Sequence, residues 1–238
     1  RAGLATGPTG AIRVDDYLRT SDPDIYAAGD CAEVTHLVTR RPCFIPRGST
    51  ANKQGRIAAV NACGGRERFV GVLGSTICKV FDYSVGWTGI SEKEARAAGF
   101  DPVSVLTPAP DKPHFMPDAR TLMLKLVADR TTRRVLGVQA TGPGTADKRI
   151  DVAAMAIAAG MTVDQLANAD LCYAPPYAPA MDNLIVAANV ARNKVDGVMT
   201  GISPLEVHRL REAGSDAVLL DVRTFEEVQH ERLPGATH

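Results

Sequence analysis

Two apolar runs, Leu122-Met-Leu-Lys-Leu-Val-Ala-Asp129 and Val135-Leu-Gly-Val-Gln-Ala-Thr141, flank the polar stretch Arg130-Thr-Thr-Arg133. Strands joined by so short a connection pair antiparallel, because a parallel crossover takes a dozen or more residues. That hairpin decides how the next stretch is read. Thr141-Gly142-Pro-Gly144-Thr-Ala-Asp147 follows a strand and precedes a helix, the setting of a dinucleotide fingerprint. Its strand is half of an antiparallel hairpin and its last glycine position is Asp147, so a helix-start turn is expected instead.

Other elements fit an antiparallel sheet faced by helices, an α+β arrangement. Ala11–Val14 alternates like a short strand, and Ile25–Ala28 is a second small apolar run closed by Gly29-Asp30. Ser49 or Thr50 is suited to cap a helix through Ala51-Asn-Lys-Gln-Gly-Arg to Asn61, with Gly64-Gly65 beyond it. Strand-like spacing returns at Ile77, Cys78, Val80, Phe81 and Val85, and Ser91 with Glu94 forms a capping box for a short helix ending at Gly99. Val103–Leu106 reads as a strand. Ile150, Ala153, Ala154 and Ile157 carry helical spacing, a short helix follows Thr162, and a longer one spans Ala180 to Asn193. After Val195-Asp-Gly-Val-Met-Thr-Gly201, Ser203-Pro-Leu-Glu opens a capped helix and Ala217–Asp221 reads as a buried strand.

Charge and composition exclude several classes. The 238 residues carry 27 Lys+Arg against 27 Asp+Glu, which removes the bulk electrostatic argument for nucleic acid or an anionic membrane. No apolar run approaches the roughly 20 residues that cross a bilayer, so a cytoplasmic protein is the expectation. Five scattered cysteines without a C-x-x-C fit neither a disulfide scaffold nor a zinc ribbon, and the five histidines show no metal spacing. Arg40, Arg41 and Arg47 near Cys43 are placed to lower a thiol pKa, although an incidental loop cysteine is the favoured reading. The chain starts at Arg1 rather than Met and stops after Leu233-Pro-Gly-Ala-Thr-His238, which reads as a piece of a longer polypeptide.

Three stretches carry chemistry. Thr20-Ser-Asp-Pro-Asp-Ile-Tyr-Ala-Ala-Gly29-Asp30 ends small residues in Gly-Asp, where a ligand approaches the backbone closely and a carboxylate accepts bonds from sugar-alcohol hydroxyls. By itself Asp30 is read first as a residue that caps the next turn. Tyr173-Ala-Pro-Pro-Tyr177-Ala-Pro-Ala holds two tyrosines beside prolines that pre-set φ, for presentation or simply for structure. Lys148, Arg149 and Asp151 suit ion pairs between subunits or a solvated helix turn.

The Gly29-Asp30 string resembles the second FAD-contacting segment of the pyridine nucleotide-disulfide oxidoreductases. The resemblance continues through Lys79-Val-Phe-Asp, Leu136-Gly-Val-Gln, Asp147-Lys-Arg-Ile-Asp151-Val and the Tyr173–Tyr177 segment, so that residues 9–193 are covered almost without interruption. It implies that Gly29 and Asp30 contact the ribityl or diphosphate part of FAD. It also implies that the helix start at Ala51 and Asn52 faces the flavin ring, where N–H groups and the positive dipole end favour the reduced, negatively charged form. The absence of any His-Pro points to the branch of coenzyme A-disulfide reductases, NADH oxidases and persulfide reductases. In that branch the dimerisation domain sends Tyr173 and Tyr177 toward the partner subunit's flavin and active-site cysteine, where a tyrosine hydroxyl stabilises a departing thiolate. Lys112-Pro-His-Phe115-Met116-Pro lies where the branch presents a tyrosine pair, and a second hydroxyl is missing there.

Leu219-Leu-Asp221-Val-Arg223-Thr-Phe-Glu226, followed by the Leu233-Pro-Gly-Ala turn, looks like the opening of a rhodanese domain whose catalytic cysteine loop would come later. The implied organisation is the C-terminal part of an FAD-binding domain (1–70), a dimerisation domain (71–195), a linker (196–201) and a truncated rhodanese-like domain (202–238). The expected parent is a homodimeric FAD enzyme that uses NAD(P)H to reduce coenzyme A disulfide or persulfide. A non-catalytic dimerisation module, or an oxygen-reducing NADH oxidase as parent, are the alternatives.

Overall fold

The computed structural model describes residues 3–238, which fall into one unit extending to Val198 and a second, Met199–His238. Early in the first unit, pairing runs mostly through single bridges, Thr6 to Ile12, Ile12 to Ala32 and Arg19 to Tyr26. The strands expected at Ala11–Val14 and Ile25–Ala28 therefore shrink to one bridging residue each. The chain reverses too quickly for a ladder: Leu18 takes φ 65°, and the Asp15 carboxylate accepts from the N–H groups of Tyr17 and Arg19. A two-residue ribbon follows, β1 (Val34–Thr35) against β2 (Pro42–Cys43).

Helix α1 (Gly48–Ala62) starts earlier than its sequence suggested. Arg47 in extended backbone occupies the N-cap position and supplies no side-chain cap, so Ser49 and Thr50 lie inside the first turn. The inner side of α1 places Ile57 against Leu18, Val34, Phe69 and Val72 in a small core. Asn61 fastens its end, donating to the carbonyls of Tyr17 (2.9 Å) and Glu67 (2.8 Å) and accepting from the Glu67 N–H (2.7 Å).

The remaining strands are β3 (Thr76–Val80), β4 (Tyr83–Gly89), β5 (Pro102–Pro110), β6 (Thr121–Asp129) and β7 (Val135–Gly142), ordered β3-β4-β7-β6-β5 and antiparallel throughout. Between β4 and β5 lies α2 (Glu92–Ala98), which has the Ser91–Glu94 capping box and ends at Gly99 in the left-handed region. Gly89 and Gly137 face each other where β4 meets β7; a Cβ on Gly137 would stand 2.0 Å from the Ile90 carbonyl oxygen, so only glycine permits this approach.

Helices α3 (Asp147–Ala158), α4 (Val163–Ala167) and α5 (Asn183–Val195) complete the first unit. Leu122, Leu124 and Leu126 point to one face of the sheet, where Ile150, Ala153, Ala156 and Ile157 of α3 and Leu184, Ala187, Ala188 and Ala191 of α5 cover them. Alanine at the helix contacts lets the backbones approach closely, and each buried leucine contributes roughly 2 kcal/mol of hydrophobic stabilisation. The opposite face bears Trp87, Met123, Lys125 and Gln139. With Phe44 and Arg47 these line a cleft of about 860 Å³, in which the Arg47 guanidinium lies 5.8 Å from the Trp87 ring centre.

The second unit holds α6 (Pro204–Glu212), capped by Ser203, and α7 (Phe225–His230), with a Thr224–Glu227 capping box. The buried strand expected at Ala217–Asp221 is not formed. Leu220 makes a single bridge to Thr237, while Val218 and Leu220 are exposed. An apolar run is buried only when neighbours cover both of its faces, and within this unit a single bridged residue stands beside it. No helix among the described residues is long and apolar enough to cross a membrane.

Candidate functional site

Two surfaces gather the residues singled out by sequence. In the first, Gly29 opens a short 3₁₀ turn with Asp30 and Cys31 at φ 80°, a conformation glycine adopts without penalty. It rests on α1: a Cβ at Gly29 would lie 3.5 Å from that of Ala51, and the Gly29 N–H donates to the Gln54 Oε1 at 2.9 Å. Gly29, Asp30 and the first turn of α1 are thus brought together, with Asp30 exposed beside them. Asn52 is also exposed, but its amide is engaged, donating to the Gly48 carbonyl at 2.8 Å. The Ala51 N–H is likewise used within the helix, donating to the Arg47 carbonyl. The N–H groups left without a side-chain cap belong to Gly48, Ser49 and Thr50, so the positive end of the dipole sits three residues before Ala51.

This surface fits a flavin dinucleotide. Gln54 is fully buried and its Nε2 has no partner, a donor left over once Oε1 is committed to Gly29. Sequence reasoning passed over Gln54. The available signal was its place three residues after Ala51, on the inward side of a helix that otherwise packs through Ile57.

The second surface is the segment leading into α5. Tyr173 and Tyr177 are 54% and 72% exposed, while Ala178 between them and the core is buried. The N–H groups of Tyr177 and Ala178 both donate to the Ala174 carbonyl, which closes the turn over Pro175-Pro176. Among the described residues no hydrogen bond joins this segment to the Gly29–Gln54 surface. Nor does it reach Phe115, which is exposed on the separate 111–120 loop.

Beneath both loops lies a buried ionic cluster. Arg149, with a side-chain exposure of 0%, holds its Nη2 2.9 Å from Asp182 Oδ2, and the carboxylate is only 4% exposed. Asp182 Oδ1 caps α5 by accepting from the Leu184 N–H at 3.0 Å. Lys148 lies 3.6 Å from Asp182 and donates to the Cys172 carbonyl at 3.3 Å. For Arg149 neither earlier expectation holds, while Asp151 is exposed, as on a solvated helix turn. Arg149 is in the interior of its own subunit, because α3 turns it onto the same face as Ala153 and Ala156, at spacings of four and seven residues.

The rejected fingerprint is explained here as well. β7 is antiparallel to both neighbours, and the Thr145 N–H and hydroxyl donate to Asp111 at 2.8 Å each, which removes them from any phosphate. Burial works against ionisation of Asp111, yet those bonds and the Arg120 N–H hold its carboxyl below the usual range.

Cys43 departs from the reactive-thiol possibility. Burial, with the Glu33 carboxylate adding to it, pushes the thiol up to about 11. No group of three or more His, Cys, Asp or Glu side chains among the described residues is placed to hold a metal.

The chain thus places a glycine turn seated on a helix start ahead of a five-stranded antiparallel sheet whose Leu122–Leu126 face is covered by α3 and α5. Residues 1–61 match the family model "Pyridine nucleotide-disulphide oxidoreductase", and residues 75–185 match the dimerisation domain of the same family. The chain belongs to the pyridine nucleotide-disulphide oxidoreductase family.

Among its relatives, the NAD(P)H sulfur oxidoreductase (CoA-dependent) of Pyrococcus furiosus is 43% identical over 190 residues, which are 80% of this chain and 43% of that protein. Among solved structures, an NAD-dependent persulfide reductase from A. fulgidus superposes with a TM-score of 0.88 at 50% identity, covering 95% of this chain and 41% of that one. Reduced Bacillus anthracis CoADR-RHD gives 0.89 at 36% identity, over 99% of this chain and 42% of that one. The chain thus spans about two fifths of the length of these proteins.

Proposed function

We infer that this chain is the FAD-contacting and dimerisation portion of a homodimeric, NAD(P)H-dependent flavoprotein reductase acting on coenzyme A disulfide or persulfide. The observation that carries the reading is the likeness to a persulfide reductase over 95% of the chain at 50% identity. In this reading residues 1–70 close the FAD-binding domain, 71–195 form the dimerisation domain, 196–201 link, and 202–238 open a rhodanese-like domain. The last assignment is supported by the match to CoADR-RHD, which takes in 99% of the chain, where the match to the Pyrococcus protein takes in 80%.

FAD bound at the first surface supplies two-electron transfer from NAD(P)H to sulfur. Gly29 admits the cofactor's chain close to the backbone, and Asp30 accepts from its hydroxyls. The Gln54 amide offers a buried donor. The first turn of α1, from Gly48 through Ala51 and Asn52, turns its positive dipole end toward the ring. Tyr173 and Tyr177 reach the partner's active site, where a phenolic Oη–H donates to the thiolate that departs when the S–S bond is reduced.

The test uses the complete flavoprotein. Tyr173→Phe and Tyr177→Phe are expected to lower kcat for coenzyme A disulfide by about 10- to 100-fold in at least one case, the scale of a single lost hydrogen-bond donor in a transition state. Flavin reduction by NADH should be unchanged. Wild-type kcat and KM in both variants would remove the tyrosines from the reaction, and a protein purified without flavin absorbance or as a monomer would remove the class.

A further inference from the structure

Arg149 makes more connections than an ion pair requires. Its Nε donates to Asp182 Oδ1 at 3.3 Å, and its Nη1 donates to the Thr145 carbonyl at 3.0 Å. Its Nη2 donates to the Asp111 carbonyl at 3.0 Å and to Asn183 Oδ1 at 3.3 Å. Asn183 turns its own amide to the carbonyls of Ala109 and Pro110, both at 3.2 Å. One guanidinium therefore meets the root of the 111–120 loop, the turn before α3, and the residues that end the 172–182 segment.

Each loop is then tied to that root by a second bond. The Asp111 carboxylate accepts from the Arg120 N–H at 2.9 Å, and the backbone pair Asp111 N–H to Arg120 carbonyl closes the 111–120 loop at its neck. Lys148, the neighbour of Arg149 on α3, holds the Cys172 carbonyl directly before Tyr173 while lying against Asp182. Exposed Phe115 on one loop, and Tyr173 and Tyr177 on the other, are thus carried by two segments whose bases share a single buried cation.

We propose that Arg149 is the positioning residue that locks the 111–120 and 172–182 loops into one reaction-side platform, fixing the tyrosines and the Phe115–Met116 tip relative to each other. The inference rests on the reductase reading for the purpose of the loops but not for their coupling. A guanidinium with five fixed donors suits this task, since it bonds several acceptors in one plane at once; an ammonium makes fewer bonds and cannot span them all. Asp182 keeps the cation paired, and replacing Arg149 alone leaves a buried carboxylate facing only Lys148.

The experiment uses the complete flavoprotein with Arg149→Met, Arg149→Met/Asp182→Asn and Arg149→Lys. The double variant removes both buried charges and retains an amide to cap α5, so it separates lost coupling from a failed fold. Peptide hydrogen exchange in 111–120 and in 172–182 is expected to rise together, at least 10-fold in the double variant, with β6 and β7 unchanged. KM for coenzyme A disulfide should rise about 10-fold or more, while the rate of flavin reduction by NADH stays at the wild-type value. Arg149→Lys should recover part of the protection and part of the KM.

Loosening of one loop without the other, or wild-type exchange in both, overturns the proposal. If both loops loosen while Tyr173→Phe and Tyr177→Phe are catalytically silent, the coupling stands and it is the tyrosine assignment that fails.

Discussion

Cys43 shows how a charge that is close in sequence can be remote in space. Arg41 reaches away to the Ala97 carbonyl at 3.3 Å, and Arg47 lies over Trp87 and donates to Thr76, so neither guanidinium serves the thiol. Glu33 lies close enough to act on it instead, accepting from the Thr9 hydroxyl at 2.7 Å. With its thiol held at about 11, Cys43 is protonated at neutral pH. Iodoacetamide at pH 7.5, followed by peptide mass mapping, should label half-buried Cys43 at least 10-fold more slowly than exposed Cys172; equal labelling would contradict the raised thiol pKa. The same limit on sequence reading hid Gln54, and it hid the partner of Arg149. Polar side chains on buried stripes are visible as exceptions to a pattern, but their partners, Gly29 and Asp182, lie 25 and 33 residues away along the chain.

The elements that were legible are those whose stabilisation is local. The β6–β7 hairpin, the Ser91–Glu94 box and the Thr162 start follow from turn length, side-chain reach and periodicity within a few residues, and all are formed. The short bridging segments before residue 47 were not legible, because their pairing is set by distant partners such as Val72 for His36.

Helix α2 is secured by such a distant link. Glu92 accepts from the Ser104 hydroxyl of β5 at 2.6 Å and from Arg96 at 2.7 Å, with Lys125 of β6 at 3.2 Å. Led by Ser104 and then Arg96, these partners bring its carboxyl down to about 2 against an ordinary value of 4.5. A carboxyl whose folded pKa is depressed stabilises the fold above the unfolded pKa and loses that contribution as pH falls through the folded one. Glu92→Gln is therefore expected to lower Tm at pH 7, with the gap to wild type closing between about pH 4.5 and 2. A gap that is constant across that window would separate Glu92 from the pH dependence.

At the scale of the whole molecule, the two units differ in how they are held. The first has a continuous core of leucines, valines and alanines between the sheet and α3 and α5. In Met199–His238 the buried apolar side chains are Val228 and Ala236, while Leu205, Val218, Leu220, Val222, Phe225 and Leu233 are exposed. Segments with few buried apolar contacts open at low free-energy cost. Limited proteolysis of the 238-residue chain should cut within 199–238 before the β6–β7 hairpin; simultaneous loss of both would show a common unfolding unit.

The chain contains a single tryptophan, and Trp87 sits where the outer face of the sheet meets the residue that precedes α1. An indole under a guanidinium at 5.8 Å is an environment that exists only while these two parts remain seated together. Its emission is accordingly a built-in optical gauge of that junction: one fluorophore, free of competing indoles, whose colour and quenching follow the seating of α1 on the sheet.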